Sequence, residues 1–242
     1  TSASGSWGPV LDGSQQKAWN GETYAYSKYG NKLEDYFDTG FSQNHNVSVS
    51  NGTETSHYRA SVGISDSKGV FPNEKLNRVN IDLNAGTELN KWMSMDGKIS
   101  LSRTKATDRP QYGNYGAINQ LMGIPHNVRL DDLKQYSTED RVHSNWYGPP
   151  AGIRNPYYVL NQRHNSDERW RAFGYYGAKI NFTDWLHLSA KYAFDYYRTR
   201  VENTNGGDGI SGESFPSQIK DDKMDRGEEN FFESNAEFVL MG

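Results

Sequence analysis

The chain has 242 residues, no Cys and a formal net charge of -4; 34% of it is hydrophobic and 13% aromatic. So little apolar content is uncommon in a soluble globular domain, while 16 Tyr, 10 Phe and 6 Trp exclude an aromatic-poor disordered chain. The missing Cys excludes disulfides and thiolate metal sites, the balanced charge excludes a basic nucleic-acid stripe, and the lack of any run of about 18 apolar residues excludes a transmembrane helix.

The first residues, Thr1 to Gly13, are polar and Gly-rich and carry no signal-peptide pattern. Seven segments then alternate apolar and polar positions. Their apolar sets are His45, Val47, Val49; Tyr58, Ala60, Val62, Ile64; Val79, Ile81, Leu83, Ala85; and Met93, Met95, Gly97, Ile99, Leu101. Further on come Trp170, Ala172, Gly174, Tyr176, Ala178, Ile180, Phe182; then Leu186, Leu188, Ala190, Tyr192, Phe194, Tyr196; and Phe232, Ser234, Ala236, Phe238, Leu240. A period of two predicts strands with one apolar and one polar face. The fifth and sixth segments run to about 14 residues, beyond the usual ~5–6 of a soluble strand and enough to cross a bilayer, which takes about 9–11.

The connections alternate in length. Asn51-Gly52 has the chemistry of a type I′ hairpin turn. Glu88-Leu89-Asn90-Lys91 and Thr183-Asp184 are also short, whereas 66–76, 105–168 and 201–227 are long. Long structureless loops argue against a compact soluble domain. Short turns on one side and long loops on the other are the pattern of an outer-membrane barrel, with the short turns periplasmic. At two short turns a small repeat recurs: Leu89-Asn90-Lys91-Trp92-Met93-Ser94-Met95 matches Phe182-Thr183-Asp184-Trp185-Leu186-His187-Leu188. Trp92 and Trp185 are therefore expected at the periplasmic membrane interface, where an indole ring meets acyl chains and its N–H meets water. The chain stops inside the last segment, at Glu237-Phe238-Val239-Leu240-Met241-Gly242, so a piece of a longer protein is expected.

Several stretches resemble one family in order and spacing. Ser6-Trp7-Gly8-Pro9-Val10-Leu11-Asp12-Gly13 resembles the Trp-Gly-Pro…Asp-Gly segment early in the barrel of SusC/RagA proteins. Tyr36-Phe37-Asp38-Thr39-Gly40, Asn46-Val47-Ser48-Val49-Ser50-Asn51-Gly52 and Tyr58-Arg59-Ala60-Ser61-Val62-Gly63 follow, similar to the family's FF-x-TG, NVSVSGG and YRLSYG stretches. Gly69-Val70-Phe71-Pro72-Asn73 and Asn77-Arg78-Val79-Asn80 resemble its G-I-x-P-N and xR-x-N motifs; the dense part covers roughly residues 1–105. The resemblance implies an outer-membrane barrel with a plug, a class built on 22 strands. It further implies import of glycan or peptide oligomers powered through TonB, a SusD-like surface lipoprotein as lid, and a Bacteroidetes-type source. The family's N-terminal extension, TonB box and plug precede the Trp-Gly-Pro segment, so residues 1–242 are expected to be barrel alone.

Cargo would meet the lumen face and the outer loops. The long loop offers Tyr112, Tyr115, Trp146 and Tyr147 as stacking surfaces, along with His126, Asp131, Asp132, Tyr157 and Tyr158. Aromatic faces suit sugar rings, and the same residues equally suit packing of the loop onto itself or a lid. Arg59, Asp82, Lys98, Lys191 and Asp195 fall on polar faces that would line the lumen. No catalytic constellation stands out. Asp131-Asp132 and Asp221-Asp222 are adjacent loop residues with no fixed glycosidase separation, and no nucleophile elbow is present. The 6 His lack metal-ligand spacing, Asp221–Asp225 lacks the Gly and Glu of an EF-hand, and Asn205–Gly209 opens no phosphate-binding helix.

The sequence thus predicts an all-β antiparallel meander of about seven strands, part of a transmembrane barrel with long extracellular loops. It predicts a non-enzyme without cofactor or nucleic-acid partner, importing an oligomeric nutrient across the cell outer membrane among outer-membrane lipid. Three rivals stay open: a passive porin, a soluble carbohydrate-binding module, and a SusC-like barrel serving as a structural part of a larger assembly.

Overall fold

The computed structural model describes residues 8–111, 113, 116–137, 145–146, 154–206 and 223–242. A small hairpin comes first, β1 (Gln15–Lys17) against β2 (Thr23–Ala25), then helix α1 (Lys32–Tyr36). Four strands follow: β3 (Phe41–Gly52), β4 (Ser56–Lys68), β5 (Lys75–Asn90) and β6 (Met93–Thr107). Three short helices, α2 (Ala117–Gly123), α3 (Leu130–Leu133) and α4 (Pro156–Gln162), occupy the long connection to β7 (Arg163–Asn181), which continues into β8 (His187–Asn205) and β9 (Lys223–Met241).

β3 to β9 form one open sheet of seven strands in sequence order, every neighbour antiparallel. It is a partial barrel: consecutive up-and-down strands whose two outer members, β3 and β9, are exposed along their whole lengths. The last three strands reach 19 residues each, longer than the alternation alone indicated. No helix of the described residues is long and apolar enough to cross a membrane.

The expected alternation holds across the ladder. One row runs Val49, Ala60, Leu83, Ile99, Gly174, Phe194 and Ser234 through successive strand pairs. The next row on the other face runs Ser50, Arg59, Asn84, Lys98, Tyr175, Ala193 and Asn235. Large side chains of the apolar face stay open to the surroundings, with Tyr176 59%, Phe232 61% and Phe238 73% exposed. On β7 that apolar stretch from Ala172 to Phe182 spans eleven residues. At about 3.3 Å per residue and a tilt near 40°, it is about 28 Å tall, close to the apolar band of membrane barrels.

The short turns differ in detail from the sequence reading. Asn51 and Gly52 stay in the ladder, opposite Tyr58 and His57. The reversal sits at Thr53-Glu54-Thr55, where Thr53 N donates to Ser56 O at 2.7 Å and Ser56 N to Thr53 Oγ1 at 3.1 Å. A type I′ turn needs positive φ at both central residues; Asn51 and Gly52 have none, and the threonine hydroxyl supplies the closing bond instead. Trp92 and Trp185 both lie in turns rather than at the starts of strands, at 53% and 67% exposure.

Buried side chains gather outside the sheet. Tyr36, Leu121, Ile124, Val128, Leu130, Leu133 and Tyr157 form the core of a cap over the long-loop end. The sheet carries its apolar residues outward, so the one place where this chain excludes water by itself is the cap.

Candidate functional site

The cap is built from segments distant in sequence. Asn155-Pro156 starts α4 by a local rule: an Asn side chain satisfies the first free N–H groups, and Pro at the first position gives up none that is needed. Asn155 Oδ1 accepts from Tyr157 N at 2.9 Å and Tyr158 N at 3.4 Å, while its Nδ2 donates to Leu133 O at 2.8 Å and Asn145 O at 3.1 Å. Tyr157 meets Tyr36 of α1 at 5.1 Å between ring centroids, Tyr36 meets Phe37 at 5.7 Å, and Phe37 meets Phe71 of the β4–β5 loop at 5.0 Å. Burial pushes the Tyr36 and Tyr157 phenols upward.

Charged residues fasten the β1–β2 hairpin to this core. Arg129 pairs with Glu22 and, at 2.9 Å, with Asp132, and lies 4.5 Å over the Tyr24 ring. Lys134 pairs with Asp131 at 2.7 Å, which holds that carboxyl below its ordinary range. At the foot of the loop His164 bonds Asp108 and the Asn161 carbonyl, both at 3.0 Å, and Asn165 exchanges two bonds with the Arg109 backbone.

Of the loop aromatics proposed for cargo, Trp146 is half-buried and stacks edge-on against Trp19 at 5.1 Å. Tyr157 and Tyr158 are buried and Asp131 and Asp132 are ion-paired, so these four serve the packing of the cap. His126 is exposed. Tyr112, Tyr115 and Tyr147 lie outside the described residues, as do Ser6, Trp7, Gly207–Gly209 and Asp221-Asp222.

The polar face of the sheet divides the other candidates into two groups. Arg59, Asp82 and Lys98 come together around an open hollow of about 720 Å³ near the short-turn end, with His57, Ser61 and Asn84. Ser100 Oγ donates to Asp82 at 2.5 Å. Asp195 lies farther along, gripped by both nitrogens of the Arg171 fork at 2.9 and 2.5 Å. Lys191 lies 4.5 Å over the Tyr175 ring. Beside them Arg169 covers Tyr197 at 4.7 Å, and Tyr197 stacks on Phe231 at 4.9 Å and 15°. Arg169, Arg171 and Asn155 were not singled out from the sequence. The alternation marks Arg169 and Arg171 as polar-face residues, and Asn-Pro is a legible helix start.

The arrangement offers ion pairs, guanidinium–aromatic contacts and open polar hollows. These are groups that hold and pass a polar ligand. No three His, Asp or Glu side chains converge as a metal site among the described residues.

No family model and no curated protein matches the chain. Solved structures do. It is similar to a structure of the RagAB peptide importer in the open-open state, with a TM-score of 0.61 and 20% identity over 86% of this chain and 22% of that one. The closed-closed state of the RagAB peptide importer gives 0.58 and 19% over 86% and 22%. A structure of the RagAB peptide transporter gives 0.62 and 18% over 89% and 23%. At this identity the likeness is one of fold, and the chain spans under a quarter of the length of each.

Proposed function

We propose that this chain is part of the wall of a SusC/RagA-type outer-membrane transporter that imports an oligomeric nutrient, with a peptide as the cargo best supported. The observation that carries the reading is the two-faced sheet. Its apolar face is exposed over about a bilayer's depth, its polar face carries paired charges and aromatics, short turns close one end, and a folded cap closes the other. The motif order in residues 1–105 and the fold shared with RagAB peptide importers support the same reading. In this reading the protein is not an enzyme, the polar face lines the lumen, and Trp92 and Trp185 sit at the periplasmic interface. Uptake draws on TonB, and a SusD-like lipoprotein covers the mouth. Tyr112, Tyr115, Tyr147 and the free face of Trp146 meet cargo or lid.

The test is to purify the full-length protein from native outer membranes in mild detergent and measure binding of a defined pool of oligopeptides. Co-purification with a surface lipoprotein, together with peptide binding, supports the proposal. An unplugged barrel passing small solutes without selection overturns it in favour of a porin. A barrel bound only to assembly or secretion components overturns it in favour of a structural role.

A further inference from the structure

Lys32, the first residue of α1, is 8% exposed. Among the described residues no hydrogen bond or ion pair reaches it. A buried ammonium is ordinarily paired, because desolvation penalises the charge and only a counter-ion or acceptor restores what water provided. The carboxylates of the cap are turned elsewhere. Glu22 and Asp132 hold Arg129, and Asp131 holds Lys134. The Asp35 carboxylate folds back over Gly30, whose left-handed φ of +55° leaves space for it, and Glu34 is exposed and carries no ion pair.

Two further cations stand nearby. Tyr29 N donates to His126 O at 3.0 Å, which pins the segment carrying Lys28 and Lys32 against residue 126. The Lys32 and Lys28 ammoniums, with some desolvation, hold the His126 imidazole below its ordinary pKa. Lys28 and His126 are exposed and Lys32 is buried. The three make an electropositive recess that opens from the surface of the cap inward, in a chain whose net charge is -4. Like charges placed together with no acid between them repel, and an anion among them relieves both the repulsion and the unpaired burial.

We infer that Lys28, Lys32 and His126 form an anion-recognition site on the cap that takes a carboxylate of an oligopeptide cargo. This rests on the peptide-import reading. An ammonium offers three donors as a compact charge, so Lys32 holds the carboxylate while Lys28 and a protonated His126 attract it from solution. The site favours acidic peptides over neutral ones of the same length, and more so as pH falls and His126 gains its proton.

The test uses the full-length protein with its native partner and two synthetic pentapeptides, identical except that two Glu in one are Gln in the other. Both are amidated at the C-terminus. Wild type is expected to bind the Glu peptide about tenfold more tightly than the Gln peptide, the scale of one added charge pair. Lys32→Met is expected to lose that discrimination. Because it removes an unpaired buried charge, it does not threaten folding. As a site-specific readout, acetic anhydride modification of Lys32, followed by mass spectrometry, is expected to slow with the Glu peptide and not with the Gln peptide. Equal affinity for the two peptides with equal modification of Lys32 overturns the anion site and leaves peptide import standing. Binding of neither peptide overturns both.

Discussion

The side-chain amide of Asn155 donates to the backbone carbonyl of Leu133 at 2.8 Å, from a residue that is wholly buried. That bond joins the end of α3 to the start of α4, and the other bonds of Asn155 reach Asn145, Tyr157 and Tyr158. Asn155→Ala strands several backbone groups without partners and removes a helix cap. The expected cost is about 2–3 kcal/mol, confined to the cap. Hydrogen exchange should accelerate across 117–137 and 156–162 while β7 and β8 keep their protection. Uniform loss of protection through the sheet would show that Asn155 does not act locally.

Lys32 supplies a pH dependence whose sign is fixed by its burial. Its pKa is lowered from 10.5 to about 8 by desolvation. Between these values the unfolded cap binds more protons than the folded one, so cap stability rises with pH, by up to about 1.4 kcal/mol per unit. Below about 8 the penalty is present in full. The raised phenols of Tyr36 and Tyr157 act oppositely above their ordinary value of 10.0, so the window to read is pH 8 to 9.5. Hydrogen exchange of the cap, corrected for intrinsic rates, should strengthen over that window in wild type and stay flat in Lys32→Met. The same slope in both proteins would assign it to another group.

The strands were legible because a sheet with unlike faces writes a period of two into every strand, and the observed rows keep the expected faces from Val49 through to Ser234. The turn at Thr53 was not, because Asn51-Gly52 has the right local chemistry and is overruled by the pairing with Tyr58 and His57. The cap was invisible for a different reason. Its helices have four to seven residues, too few to display a 3.6 period, and they are held by contacts such as Tyr36 with Tyr157 that local sequence does not reveal. Lys32 carries no sequence signal, since its burial is a product of that tertiary packing.

Gly174 sits on the apolar face where β7 crosses closest to β6. A Cβ there would lie 2.1 Å from the Lys98 carbonyl oxygen and 3.0 Å from Ile99 Cα, both backbone atoms. Gly174→Ala therefore has to part the two strands and should cost about 1–3 kcal/mol or more. Gly177, three residues on, meets first the Asp96 carboxylate at 3.1 Å, a side-chain end that can turn aside. On unheated gels the full-length Gly174→Ala protein should show less of the compact, heat-sensitive band, and Gly177→Ala should match wild type. Equal behaviour of the two would place the strand separation elsewhere.

Tyr175 and Tyr176 are neighbours on β7 that point to opposite faces. Tyr175 stands across from Lys98 under the Lys191 ammonium, and Tyr176 stands across from Gly97 and is 59% exposed on the apolar side. This chain has no Cys, so a thiol at either position reports on one face of the wall. If the apolar face meets acyl chains and the polar face meets the lumen, two consecutive residues differ completely in their access to water. In native membranes Tyr175→Cys should react with a charged, water-soluble maleimide. Tyr176→Cys should resist it and react with an apolar maleimide that partitions into the bilayer. The Cys background of the full-length parent is subtracted in each case. Equal reaction of both thiols with the charged reagent would mean that both faces are wet, which is the behaviour of a soluble sheet and would remove the basis for membrane transport.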